Sequence, residues 1–264
     1  MPHALRSETA PPPPRGADGD APGDSRAGAS TQVATLLLAD ISAAARLWGW
    51  SRIIRGPAPL RTVPGLRFCR ALGSGHDGGF GLKPSASRQG LFCLFDDDAS
   101  ARAFLSRSTI VQAYRDHARE LLTLRLAPYS VRGSWSGVTP RPSATAPAQG
   151  PIAALTRASI RLRTAAAFWR QTPASQASLA HAPGCLLAVG LGEAPLLRQA
   201  TFSVWDGVPS MDAYARHGAH QAAIRASRAQ DFFSESMFVR FVPLSMRGTW
   251  KGRAFDLGDD RQAA

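Results

Sequence analysis

The chain has 264 residues and 44% apolar side chains, enough for one large domain or two small ones with a buried core. Its net charge of +12 favours acidic partners, anionic membrane surfaces or nucleic acid. All 31 basic residues except Lys83 and Lys251 are arginine, though, and with abundant Ala, Gly and Pro this reads as compositional bias rather than selection for phosphate contacts. Three cysteines (Cys69, Cys93, Cys185) with no C-x-x-C pair exclude a disulfide scaffold and a cysteine zinc site, and suit a reducing cytosol. No apolar run approaches the roughly 18 residues that cross a bilayer, and the N-terminus has no signal-peptide core, so a cytoplasmic protein is expected, peripheral to a membrane at most.

Residues 1–30, with four prolines at 11–14, hold too little apolar surface to offset their ordering entropy and read as a disordered tail. A strand is predicted over 32–41, then a helix over 43–55 carrying Leu47, Trp48 and Ile54 and ended by Pro57 and Pro59. A second strand over 66–72 leads into the glycine-rich stretch Gly73–Gly81, which contains G-x-G-x-x-G. Gly79, Gly81 and Pro84 leave no room for the helix that a dinucleotide site needs, so the stretch reads as a flexible hairpin loop. A third strand over 90–95 ends in Asp96–Asp98, which caps a helix over 100–122 with a break near Ser106–Ser108; a fourth strand follows over 124–130. The order β-α-β-β-α-β is the ferredoxin-like, split βαβ unit. Beyond a Pro-rich linker, the same order returns: strand 152–160, helix 164–179, strands 184–191 and 199–205, helix 210–234, strand 237–245. Residues 253–264 read as a polar tail.

The recurrence is a duplication. Arg125–Gly137 (R-L-A-P-Y-S-V-R-G-S-W-S-G) and Arg240–Gly252 (R-F-V-P-L-S-M-R-G-T-W-K-G) share seven identities at one constant spacing of 115 residues. Upstream, Phe95-Asp96 matches Trp205-Asp206, and Pro64-Gly65 matches Pro183-Gly184. The predicted domains are a tail (1–30), a first repeat (31–137), a linker (138–150), a second repeat (151–252) and a C-terminal tail (253–264). The predicted fold is α+β: tandem ferredoxin-like units packed as an intramolecular dimeric α+β barrel, with helices outside and a cavity between the sheets.

Among the six histidines, His220 falls on the apolar side of its predicted helix, with Ala223, Ile224 and Ser227. The residues alone favour a core histidine over a metal or heme ligand. His117, at the edge of the first repeat's apolar face, is the reserve candidate. Arg157 lies on the first strand of the second repeat and points either outward or inward; inward, it could stabilise a bound oxygen species. No His/Asp/Glu cluster has zinc or non-heme iron spacing, and no G-x-S-x-G elbow is present. The repeated tryptophans are assigned mainly to the core, with some available to line an apolar cavity.

Several motifs in one order carry a family likeness: G-P-I-A-A-L-T-R-A-S-I-R (Gly150–Arg161), Phe168-Trp169, G-x-G-E-x-P (Gly190–Pro195), Q-x-T-F-S-x-W (Gln199–Trp205) and H-x-x-A-I-R-A-x-R-A (His220–Ala229), with A-L-G-S-G (Ala71–Gly75) and G-x-W-x-G (Gly133–Gly137) in the first half. Over residues 33–252 the chain resembles spheroidene monooxygenase, the acyclic carotenoid 2-ketolases of purple phototrophic bacteria; His217 and the Pro-rich tail lie outside the likeness. The resemblance implies a heme b (iron) monooxygenase that uses O2 and electrons from reduced ferredoxin to oxidise spheroidene and hydroxyspheroidene at carbon 2 to 2-keto products such as spheroidenone. It also implies an axial histidine on a helix covering the sheet, a description His220 matches. The basic surface fits an acidic ferredoxin and an anionic photosynthetic membrane. Two other classes are weighed against it. A basic ferredoxin-like RNA- or ligand-binding module would carry K/R-G-F/Y-G/A-F-V-x-F/Y on a strand, which is absent, so no nucleic acid is expected. A cofactor-free barrel oxygenase would need no axial ligand.

Overall fold

A computed structural model describes residues 31–56, 60, 62–79, 81, 83–194, 197–216 and 231–258. The predicted N-terminal tail and His220 lie outside the described residues.

The first repeat runs β1 (Val33–Ile41), α1 (Arg46–Arg55), β2 (Leu66–Gly75), β3 (Pro84–Phe95), α2 (Asp98–Arg107), α3 (Thr109–His117) and β4 (Ala118–Gly133). The second runs β5 (Ile152–Ile160), α4 (Ala165–Ala180), β6 (Cys185–Ala194), β7 (Arg198–Trp205), α5 (Val208–Arg216) and β8 (Phe233–Trp250), with β9 (Arg253–Leu257) appended. The strands form one antiparallel sheet in the order β4-β1-β3-β2-β6-β7-β5-β8-β9, and β4 pairs with β8 to close eight of them into a barrel. The seams differ. β4 and β8 pair from Leu122↔Gly248 to Gly133↔Met237, whereas β2 meets β6 only at Gly73↔Gly192 and Ser74↔Leu191, reinforced by Ser74 Oγ donating to Gly190 O at 2.7 Å.

Closure explains why β1, V-A-T-L-L-L-A-D-I, is apolar almost without alternation: every residue of it is buried, because one face looks into the barrel and the other lies under helices. Leu36 and Leu38 join Leu124, Leu155, Phe202 and Val239 inside; Leu37, Ala39 and Ile41 pack outward against Phe104, Val111 and Tyr114 of α2 and α3. The interior is filled by side chains from both repeats, including Phe68, Phe92, Trp135, Phe241 and Trp250. The cavity expected between the sheets is therefore occupied by core.

The duplicated motif closes the barrel reciprocally. Trp135-Ser136-Gly137-Val138 and Trp250-Lys251-Gly252-Arg253 are two-residue turns whose central residues all have positive φ. Glu235 accepts hydrogen bonds from Gly137 N–H (3.2 Å) and Ser134 Oγ (3.1 Å). Its counterpart Glu120 accepts from Lys251 N–H (3.0 Å) and Gly252 N–H (2.6 Å). Each repeat thus clamps the other's turn. Gly133 and Gly248 are required where the strands cross: a Cβ on either would lie 2.0 Å from a carbonyl oxygen of the opposite repeat, at Ser236 and Leu121.

Some predicted boundaries are corrected. Residues 118–122 are strand rather than helix, β8 begins at Phe233 rather than 237, and part of the expected polar tail is β9. β2 also runs on to Gly75, shortening the predicted loop. The capping expectation holds: Asp97 accepts from Ser100 N–H at 2.7 Å at the start of α2. The linker is packed, with Ser143 N–H donating to Pro128 O at 2.7 Å.

Candidate functional site

The outer faces of the two half-barrels have the same backbone and different side chains. At the spacings that align the repeats, Leu37 corresponds to Thr156, Leu91 to Thr201, Cys69 to Ala188 and Cys93 to Ser203. In the first repeat these positions are buried beneath α2 and α3, Leu37 at 1% exposure. In the second, Thr156 is exposed although it sits mid-strand in β5 with neighbours on both sides.

Pairing places Phe238, Thr156, Thr201 and Gly190 in a row across β8, β5, β7 and β6. At strand spacing this floor is about 14 Å wide. One end is closed by Ile152, Leu179, Trp205 and Met211, the other by edge-to-face contacts of Phe168 with Trp169, Phe232 and Phe233. Thr156 is exposed at the middle of this row, Thr201 and Phe238 are half-buried and Gly190 is buried; small side chains between aromatic rings suit a planar or extended apolar group.

The histidines divide by this geometry. His220 belongs to the 217–230 segment that joins α5 to β8, outside the described residues. His117 ends α3, with its ring 4.5 Å from that of Trp48, and belongs to the filled helical layer of the first repeat. His76 is exposed in a turn beside Asp77 (3.4 Å), and His181 follows α4 at the surface. His76 and His117 belong to the first repeat, the small-residue floor to the second.

Arg157 points inward, on the opposite face of β5 from Thr156, and is 2% exposed. Its Nη1 donates to Glu235 Oε2 at 2.5 Å and its Nη2 to Glu193 Oε1 at 3.4 Å, with the guanidinium 5.7 Å from the Trp135 ring. Trp135 Nε1–H also donates to Glu193 (2.5 Å), and Arg70 lies 3.3 Å from the same carboxylate. Burial alone would raise the Glu235 pKa, but Gly137 N–H, Ser134 and Arg157 together hold it below the usual carboxylate value. In the sequence Glu193 stands out only as part of G-x-G-E-x-P, and Glu235 not at all. Glu120 and Glu235 stand 115 residues apart, the spacing of the repeated motif, and that signal could have found one of them.

Two ferredoxin-like repeats joined in one closed barrel, with helices on its outer face, define a dimeric α+β barrel protein. In fold the chain is similar to an aldoxime dehydratase solved in complex with butyraldoxime, with a TM-score of 0.54 at 11% identity over 82% of this chain and 80% of that one. No family model matches the chain. It is 61% identical to the spheroidene monooxygenase of Rubrivivax gelatinosus over 87% of this chain and 89% of that protein. It is 36% identical to the spheroidene monooxygenase of Rhodobacter capsulatus over 78% and 87%. The chain belongs to the spheroidene monooxygenase family.

Proposed function

We propose that this chain oxidises acyclic carotenoids of the spheroidene type at carbon 2, giving 2-keto products, with O2 and electrons from reduced ferredoxin. The observation that carries the reading is the exposed Thr156 floor, set in a family whose named members are spheroidene monooxygenases. Each oxygen inserted consumes O2, two electrons and two protons and releases one water. A second insertion at the same carbon gives a gem-diol, which loses water to the ketone.

The floor fits a heme b: small side chains supply a flat surface, and His220 lies in the segment between α5 and β8, both of which border the floor. In this reading His220 would hold the iron and the floor residues Thr156, Thr201 and Gly190 would lie beside the group. When bound, the heme supplies O2 activation. The chain's own part is to hold one end of a long polyene against Phe168, Trp169 and Phe233 and to keep the site dry. Arg157, on the opposite face of the strand, fixes β5 from inside the barrel and acts as a positioning residue. The net charge of +12 suits an acidic electron donor and an anionic membrane that holds the substrate.

The test is the absorption spectrum of purified, heme-supplied protein beside its His220→Ala variant. A Soret band that the variant loses or displaces supports the assignment. An unchanged band moves the ligand to another residue, His117 of the first repeat first, and takes the heme off the Thr156 floor. Carotenoid turnover with no band in either protein would make this a cofactor-free oxygenase.

A further inference from the structure

We infer that α1 is a docking helix for an anionic membrane surface. The helix is built inside out. Its buried residue is Gly49, packed close to Gln89 and Ile41, while Leu47 is 87% exposed, Ile54 80% and Trp50 45%. Positions 47, 50 and 54 stand at i, i+3 and i+7, so the three large apolar side chains form one outward stripe. A soluble helix would turn such a stripe toward the core.

Charge decides what meets it. Arg46 and Arg55 are exposed on either side of the stripe, neither is ion-paired among the described residues, and residues 43–56 contain no Asp or Glu. An apolar stripe with tryptophan at its centre and arginines at its rims is the arrangement of a helix lying in a bilayer interface: apolar groups enter the acyl boundary, the indole sits at headgroup depth, and the guanidiniums meet anionic headgroups. An acidic protein would satisfy the arginines but leave the stripe exposed. Among the described residues no helix is long and apolar enough to cross a membrane, so this contact is a surface one. Its purpose rests on the lipid-soluble substrate proposed above; its existence does not.

The experiment is flotation of the purified full-length chain with carotenoid-free vesicles of phosphatidylcholine alone or with about 30% phosphatidylglycerol, so that the outcome is independent of catalysis. Binding to the anionic vesicles is expected, weakened by salt and at least tenfold weaker for Leu47→Gln/Trp50→Gln/Ile54→Gln. Arg46→Gln/Arg55→Gln should lose the preference for anionic lipid while keeping residual binding. All these side chains are exposed, so circular dichroism should show parent-like melting. Parent-like binding by the triple variant, or no vesicle binding by the parent, overturns the inference. So does a dimer that the triple variant dissociates while the parent ignores vesicles, since the face then belongs to a second copy.

Discussion

Leu37 and Thr156 occupy equivalent places on the first strands of the two repeats, yet Leu37 is sealed under α2 and α3 while Thr156 lies open at the centre of its sheet. In the function proposed above, this one difference within a duplicated frame assigns the site to the second repeat. Refilling it should close the site without harming the fold. Thr156→Leu should melt at or above the parent temperature, because the added methyl groups cover exposed sheet, while kcat/KM for a carotenoid substrate falls at least about tenfold, or about 1.4 kcal/mol of transition-state binding. Calorimetry and steady-state assays of the same preparation check this; parent-like turnover would move the substrate elsewhere.

Arg157, itself buried, pairs with Glu193 and Glu235 inside the barrel, so removing it leaves two partly buried carboxylates without that partner. Arg157→Met should destabilise by about 3 kcal/mol, read from urea unfolding, with Arg70 still serving Glu193. Arg157→Lys keeps the charge and should recover part of that loss. A positioning role predicts that kcat follows stability across this pair. A fall in kcat for Arg157→Lys with unchanged unfolding would instead place the guanidinium at the reacting atoms.

Glu235 has its folded pKa lowered relative to the unfolded chain, so its contribution to stability is fully present above the unfolded carboxylate value and is lost as pH falls through the folded one. Unfolding free energy should therefore drop below about pH 4.5. Glu235→Gln should be less stable at pH 7 and show a shallower acid slope, measured by urea titration at successive pH values.

Gly133 and Gly248 are the crossing points of the two repeats, and both have positive φ. Gly133→Ala and Gly248→Ala should each cost at least about 2 kcal/mol, since the new Cβ meets an opposing carbonyl and the backbone itself becomes strained. Equal losses at both sites, read from chemical denaturation, would confirm that the two seam crossings are equivalent.

The thiols offer a simpler check. Burial pushes Cys185 up to about 11 and Cys93 well above its ordinary value, with Cys69 Sγ 3.1 Å away. At pH 8 both should react with a disulfide reagent far more slowly in the native protein than after denaturation.

The sequence by itself determined whatever depends on local pattern and on comparing the chain with itself: the duplication, the order of strands and helices in the two repeats, the Asp97 cap, and the core placement of Trp135, Trp205 and Trp250. Those features follow from periodicity, capping chemistry and the 115-residue spacing, which survive without knowledge of neighbours. Tertiary structure decided the rest. Ala118–Leu122 reads as helix in the sequence but is strand, because these residues lie in β4, the strand that joins β1 to β8 and closes the barrel. β9 looked polar because an edge strand needs only Phe255 and Leu257 to turn inward. Arg157 could face either way until closure set the inner face of β5 and Glu193 and Glu235 arrived from distant strands. The opening at Thr156 was likewise invisible in the sequence, because a threonine on a strand acquires meaning only when the equivalent leucine is seen covered and it is not.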